Sequence, residues 1–280
     1  MIRLLATLLL LCASAVTAAN RDTITAKSYV VMDFDGKVIL SKNAYAIQPI
    51  ASITKLFVAE AISKSDEQDG TRITIQPADI VAYNRVLIPG AVYTQEQLLN
   101  LALVSSNNSA TYALTHYSRA KIFDSISTTI AEKNLQSVSL EEPSGLSSAN
   151  RANAIDLAQY LLSIRDEYFA RISAQRDIKI GGNVYKSTNP LIGQPGWNFL
   201  VSKTGYTAPA GGCLAVITGI GGKFYAVVVL GAASVPERWQ DLIRIRQLLA
   251  PQDKFWQFNH GTHQPAHPRN SKKSPHRKRK

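Results

Sequence analysis

The sequence predicts an α/β chain built on one five-stranded antiparallel sheet flanked by helices. Three observations lead there. An apolar strand pair with a tight turn stands near the N-terminus, three apolar strands with glycine-rich turns stand near the C-terminus, and helical patterns lie between and after them. Consecutive strands joined by short turns must pair antiparallel. When the first pair joins the last three strands, one sheet results, and the middle of the chain packs against it.

Tyr29–Phe34 and Lys37–Leu40 flank Asp35-Gly36, a dipeptide suited to a hairpin turn. Residues 53–63 are apolar nearly all round (Leu56, Phe57, Val58, Ala59, Ala61, Ile62), the mark of a buried helix. Thr94 and Gln97 form a capping box ahead of Leu98, Leu99, Leu101, Ala102, Leu103 and Val104. That helix stops at Ser105-Ser106, and another covers Thr111–Tyr117. A further helix fits Asn153–Ile164. Leu200–Lys203, Cys213–Thr218 and Phe224–Leu230 read as strands, the last two joined by Gly219-Ile220-Gly221-Gly222. Pro236–Leu249 closes as an amphipathic helix. The stretch from about 65 to 185 is expected to be an all-helical subregion.

Residues 1–19 have the form of a secretory signal peptide: Arg3, an apolar run from Leu4 to Leu11, then small residues ending in Ala18-Ala19. Cys12 does not read as a lipoprotein cysteine, because Leu11 precedes it where a small residue is expected. No later segment reaches the roughly 18 apolar residues of a membrane span. Past the signal only Cys213 remains, so no internal disulfide can form. Its apolar surroundings, Cys213–Ile217, mark a small buried residue rather than a nucleophile. The formal charge of +11 is uneven. Arg269, Lys272, Lys273, Arg277, Lys278, Arg279 and Lys280 lie in the last stretch, and without them and Arg3 the body holds 23 basic against 20 acidic residues. Residues 20–258 therefore read as the folded domain and 259–280 as a disordered basic tail.

Three short motifs carry the chemistry. They are Ser52-Ile53-Thr54-Lys55, Ser106-Asn107-Asn108 and Lys203-Thr204-Gly205. A serine hydroxyl needs a base within hydrogen-bond reach. His116 is the one histidine of the folded part and reads as a helix-surface residue. The others (His260, His263, His267, His276) lie in the tail without fixed metal-binding geometry, which makes a Ser-His-Asp triad hard to build. Lys55, three residues after Ser52, shares its helix face and can serve as a neutral amine when desolvated. Ser52 opens the buried helix, where the free N–H groups favour a developing oxyanion. Each motif alone is weak. Ser118-Arg119-Ala120-Lys121 repeats the first and reads as a solvated turn, and Ser-x-Asn occurs elsewhere too. The ordered set, each member placed at an element end or on a strand, is specific.

The set resembles the signature of penicillin-binding proteins and serine β-lactamases. Pro143-Ser144-Gly145-Leu146-Ser147-Ser148, Ala154-Ile155-Asp156-Leu157-Ala158 and Pro195-Gly196-Trp197-Asn198, running into Ser202-Lys203-Thr204-Gly205-Tyr206, are similar to the low-molecular-mass D-alanyl-D-alanine peptidases. The endopeptidase branch is the most similar, and the match covers residues 28–250. The resemblance implies the serine β-lactamase/transpeptidase-like fold. It further implies Ser52 as acylated nucleophile, Lys55 as its base and Ser106 as proton relay. Asn108 would position substrate and lysine. Lys203 and Thr204 would bind the terminal carboxylate, Gly205 would contact substrate, and the Ser52 and Tyr206 N–H groups would form the oxyanion hole. Neither cofactor nor metal is implied. Peptidoglycan stem peptides would be the substrates, β-lactams the acylating inhibitors and the periplasm the location. Two departures bear on substrate preference: Asn107 stands where endopeptidase relatives often have Asp, and Gly212 where an arginine is expected. Alternatives are a D-alanyl-D-alanine carboxypeptidase, a β-lactamase using Glu141 or Glu142, and a non-catalytic envelope-binding protein. For the tail a solubilising role or a weak contact with an anionic envelope polymer is expected, with no nucleic acid partner.

Overall fold

Asp33 closes the first hairpin in the computed structural model, which describes residues 23–65, 70–81 and 86–252. Its Oδ1 accepts from the Asp35 and Lys37 N–H groups at 3.1 and 2.9 Å, and Gly36 takes the left-handed turn at φ 81°. The strands it joins are β1 (Ser28–Asp33) and β2 (Val38–Lys42). The expectations for residues 1–19, Cys12 and the basic tail with its four histidines lie outside the described residues.

Then follow β3 (Gln48–Pro49), a 3-10 turn (Ala51–Ile53), α1 (Thr54–Ser63), β4 (Arg72–Thr74) and β5 (Val92–Thr94). Next come α2 (Gln95–Leu103), α3 (Asn108–Thr115), α4 (Arg119–Glu132), β6 (Arg151–Ala152), α5 (Ala154–Ser163) and α6 (Tyr168–Ser173). The chain ends with β7 (Asp177–Ile180), β8 (Asn183–Lys186), β9 (Phe199–Thr207), β10 (Gly211–Ile220), β11 (Lys223–Ala232) and α7 (Glu237–Leu249). The sheet runs β2-β1-β11-β10-β9, each neighbouring pair antiparallel, so the two ends of the chain do share one five-stranded sheet.

Strand alternation divides the core. Tyr29, Val31, Leu214, Val216, Val227 and Val229 face Leu242 and Ile245 of α7. Val30, Met32, Cys213, Ala215, Ile217 and Val228 face the larger core with α1 and α5. Cys213 is fully buried as expected, and burial pushes its thiol up to about 11. Helix α1 is buried nearly throughout and packs against α2, α4 and α6, which makes it the axis of the helical side.

The middle of the chain differs from the all-helical expectation. It contains the ribbons β4–β5 and β7–β8, while β6 pairs with β3 from the start of the domain. Ribbons of two to four residues are too short for alternation to reveal. The repeat motif at Ser118 is also not a turn alone: it opens the fourteen-residue helix α4. His116, at the end of α3, is partnered rather than simply exposed, its Nδ1 3.0 Å from buried Asp79 Oδ1. Among the described residues no helix is long and apolar enough to cross a membrane.

Candidate active site

Ser52 stands in the 3-10 turn that runs straight into α1, so Lys55 lies one turn further along the same face. Lys55 Nζ donates to Ser52 Oγ at 2.8 Å, Asn108 Oδ1 at 2.8 Å and Ser144 O at 2.5 Å. The three protons of an ammonium thus meet three acceptors. When the amine loses one proton, its lone pair must face a partner that can donate. Two of the three partners are carbonyl oxygens, which only accept; the Ser52 hydroxyl alone can reverse the bond and donate. The hydrogen-bond inventory therefore aims a neutral Lys55 at Ser52. Burial lowers this amine to about 7, opposed by the negative field of Glu142.

The loop after β-bridge residue Ser139 supplies the third acceptor. Glu142 accepts from Ser144 N (2.8 Å), Ser144 Oγ (2.6 Å), Gly145 N (2.5 Å) and Ser147 N (3.2 Å). Burial acts to raise this carboxyl, but the bonds from Ser144, Ser147 and Gly145 outweigh it and hold it below its ordinary range. Fully buried Asn150 ties the loop to the turn that bears Ser52, donating to Glu142 O at 2.7 Å and Thr54 Oγ1 at 3.0 Å. Thr54 in turn donates to Ala51 O at 2.8 Å. Gly145, at φ 86°, touches the same peptide: a Cβ there would lie 2.0 Å from Ala51 O and 2.7 Å from Ser52 N. Gly205 of β9 meets that peptide too, since its Cβ would lie 2.9 Å from Ser52 N. The loop glycine and the strand glycine thus both crowd the Ala51–Ser52 peptide, and Tyr206 follows Gly205 directly on β9.

Ser106 lies between α2 and α3 at φ 58°, and its Oγ accepts from Lys203 Nζ at 2.8 Å. Lys203 also donates to Thr204 O at 3.1 Å. Burial first, then the charges of Lys55 and Arg238, hold its amine well below the usual lysine range. Asn107, the residue after Ser106, is the N-cap of α3. Its side chain accepts from Ala110 N at 2.8 Å and caps α3, a position where Asn and Asp serve about equally well. Thr204 Oγ1 lies 2.5 Å from Thr188 Oγ1, and Tyr206 is half exposed.

The structure brings together Ser52, Lys55, Ser106, Asn108, Lys203, Thr204, Gly205 and Tyr206. It adds Ser144, Glu142, Asn150, Gly145 and Thr188, which motif spacing did not reveal. The sequence suggests Glu142 as a base for water. Its oxygens are occupied by loop donors, which suits it to hold the loop rather than to accept a proton. The Pro143–Ser148 stretch is the sequence signal for this loop. Lys121 of the second Ser-x-x-Lys is exposed and belongs to the surface.

A family model described as D-alanyl-D-alanine carboxypeptidase matches residues 15–234. A D-alanyl-D-alanine endopeptidase of Escherichia coli (strain K12) is 30% identical over 251 residues, covering 83% of this chain and 80% of the relative. One from Pseudomonas aeruginosa is 30% identical over 231 residues, with 76% and 73% covered. Among solved structures, a mutant of the Streptomyces K15 DD-transpeptidase superposes with a TM-score of 0.73 at 26% identity, over 81% of this chain and 98% of that one. A D-alanyl-D-alanine carboxypeptidase from Mycobacterium tuberculosis has the same fold, with a TM-score of 0.70 at 22% identity over 81% and 93%.

The crowding at Gly145 is testable against Gly182, which has similar φ (86° against 80°) but open space around it. Gly182→Ala is expected to cost about 1 kcal/mol. Gly145→Ala, which adds overpacking to the same strain, should cost about 3 kcal/mol in urea unfolding. Equal costs would mean that the loop does not pack on the nucleophile turn.

Proposed function

The chain belongs to the D-alanyl-D-alanine carboxypeptidase family of serine peptidases, and on that premise we propose that it cleaves D-alanyl bonds of peptidoglycan peptides through an acyl-enzyme on Ser52. The observation that carries this reading is the 2.8 Å contact of Lys55 Nζ with Ser52 Oγ in a setting where only the serine can supply a proton. Neutral Lys55 accepts the Ser52 proton as Oγ attacks the D-alanyl carbonyl carbon. The oxyanion is received by the Ser52 and Tyr206 N–H groups. As the C–N bond breaks, the proton passes by way of Ser106 to the leaving amine. Water then releases the acyl group and restores the Ser52 hydroxyl. Lys203 and Thr204 hold the α-carboxylate of the residue that contributes the scissile nitrogen, a group present both in terminal D-alanine and at the D-centre of a cross-link. Asn108 keeps Lys55 in place.

We take the favoured bond to be the cross-link, as in the relatives named endopeptidase, with carboxypeptidase activity as the alternative. The protein is exported to the periplasm on residues 1–19, works through the domain 20–258, and carries 259–280 as a basic extension. β-Lactams act as substrate mimics that acylate Ser52.

A fluorescent penicillin should label the wild type covalently and leave Ser52→Ala unlabelled; equal labelling would remove the nucleophile assignment. The rate of that labelling should rise with pH. The Lys55 amine loses its proton as pH climbs through about 7, so the reactive form grows between roughly pH 6 and 8. A flat profile over that range would exclude Lys55 as the base. Digestion of defined cross-linked dimers and monomers, read by chromatography, separates the two activities: faster release from dimers is expected.

A further inference from the structure

The Ser144–Gly145 peptide lies between a carboxylate and an amine. Its carbonyl accepts from Lys55 Nζ at 2.5 Å and from Ser52 Oγ at 3.3 Å. Its N–H, which is that of Gly145, donates to Glu142 Oε1 at 2.5 Å. In a trans peptide these two groups point in opposite directions, so Glu142 and Lys55 face each other through one planar unit. A carboxylate on the N–H side polarises that unit and strengthens its carbonyl as an acceptor.

Both oxygens of Glu142 are filled. Oε1 also accepts from Ser147 N at 3.2 Å and Asn150 Nδ2 at 3.3 Å. Oε2 accepts from Ser144 N, Ser144 Oγ and, at 3.3 Å, the Tyr112 hydroxyl. Tyr112 stands on α3 one turn after Asn108, so the two side chains share a helix face. That face holds the amine through Asn108 Oδ1 and the carboxylate through Tyr112. The other charges around this group are Lys203 of β9 on the Lys55 side and Arg119 of α4 on the Tyr112 side. Glu141, the adjoining acid, accepts from Ser147 Oγ.

We infer that Glu142 is a positioning residue of the reaction, acting on Lys55 and Ser52 through the Ser144–Gly145 peptide, and that Tyr112 couples it to the helix of the second motif. This rests on the peptidase reading above and deepens it. With Lys55 protonated, the Ser144 carbonyl takes one proton of the amine and the hydroxyl proton of Ser52 together. Once Lys55 is neutral, that hydroxyl turns to the amine. The carbonyl thus holds the resting arrangement. The charge behind it opposes the lowering of Lys55 by burial, and so sets how readily that arrangement gives way.

The test follows covalent labelling of the mature full chain by a fluorescent penicillin as a function of pH. Glu142→Gln removes the charge that favours the Lys55 ammonium, so the rise in labelling rate should move about one pH unit lower. Its plateau rate should fall about tenfold as the loop loses hydrogen bonds to a charged group. Tyr112→Phe should move the rise the other way, to higher pH, because Glu142 keeps its charge and loses a donor that offsets part of it. Circular dichroism checks that both variants fold, and if Glu142→Gln does not, Tyr112→Phe decides. A slower rate with the rise unmoved, in either folded variant, would reduce Glu142 to a tie of its own loop and overturn the inference. Should wild type take no label, the peptidase reading fails instead. The titration of Lys55 itself, followed by side-chain NMR, then decides the inference alone: a midpoint lower in Glu142→Gln and higher in Tyr112→Phe supports it, and unchanged midpoints overturn it.

Discussion

Burying amines away from carboxylates is the constraint on which the site depends. A carboxylate in contact with Lys55 would stabilise its ammonium and oppose the lowering of its pKa by burial. The chain needs an acceptor there but not a charge, and it supplies two carbonyl oxygens, from Ser144 and Asn108. Glu142, the nearest acid, sends its oxygens to the amides of its own loop, so that its field reaches Lys55 while its oxygens do not. Each such cation is expensive to desolvate. The cost falls on a domain whose sheet is packed on both faces, and a large core is what makes an unfavourable site tolerable.

The same exchange of stability for placement is visible in the backbone. Four non-glycine residues among those described have positive φ: Asn43, Ala51, Ser106 and Asn134. The asparagines adopt this conformation readily. The other two are the alanine before the candidate nucleophile and the serine of the second motif, so the strain sits where two serine hydroxyls must be turned towards lysine amines. Gly145 and Gly205 both pack on one of these turns, and neither position has room for a side chain.

Much of this was legible in the sequence because it is periodic or local. The apolar strands at both ends, the all-round apolar helix and the capping box at Thr94 and Gln97 rest on spacings of two, three and four residues, and the structure reproduces them. The three motifs were legible as an ordered set. What escaped detection depends on contacts across long separations. Glu142 and Asn150 act through bonds that matter only once residues 142–150 lie against Thr54, almost a hundred positions earlier. Thr188 pairs with Thr204 across a loop with no pattern of its own. Short ribbons such as β4–β5 carry too few residues to show alternation. The departures at 107 and 212 were visible as letters, yet their meaning was not: one is a helix cap, and the other is a gap already filled from α7.

The placement of the third motif follows from the sheet order. Strand β9 is an edge strand, and an edge presents unpaired backbone groups that proteins normally cover or blunt. Here the 3-10 turn bearing Ser52 packs against that strand. The cover is partial: Gly205 is closed off by the turn, whereas Tyr206, the next residue, remains half exposed. A short run of edge backbone is thereby left open beside Ser52, with Lys203 and Arg238 fixed to carbonyls just upstream of it. An extended peptide could pair with that edge by lying along β9, beside Ser52. Interior strands such as β10 or β11, paired on both sides, could not offer this, so the motif belongs on the last strand of the sheet.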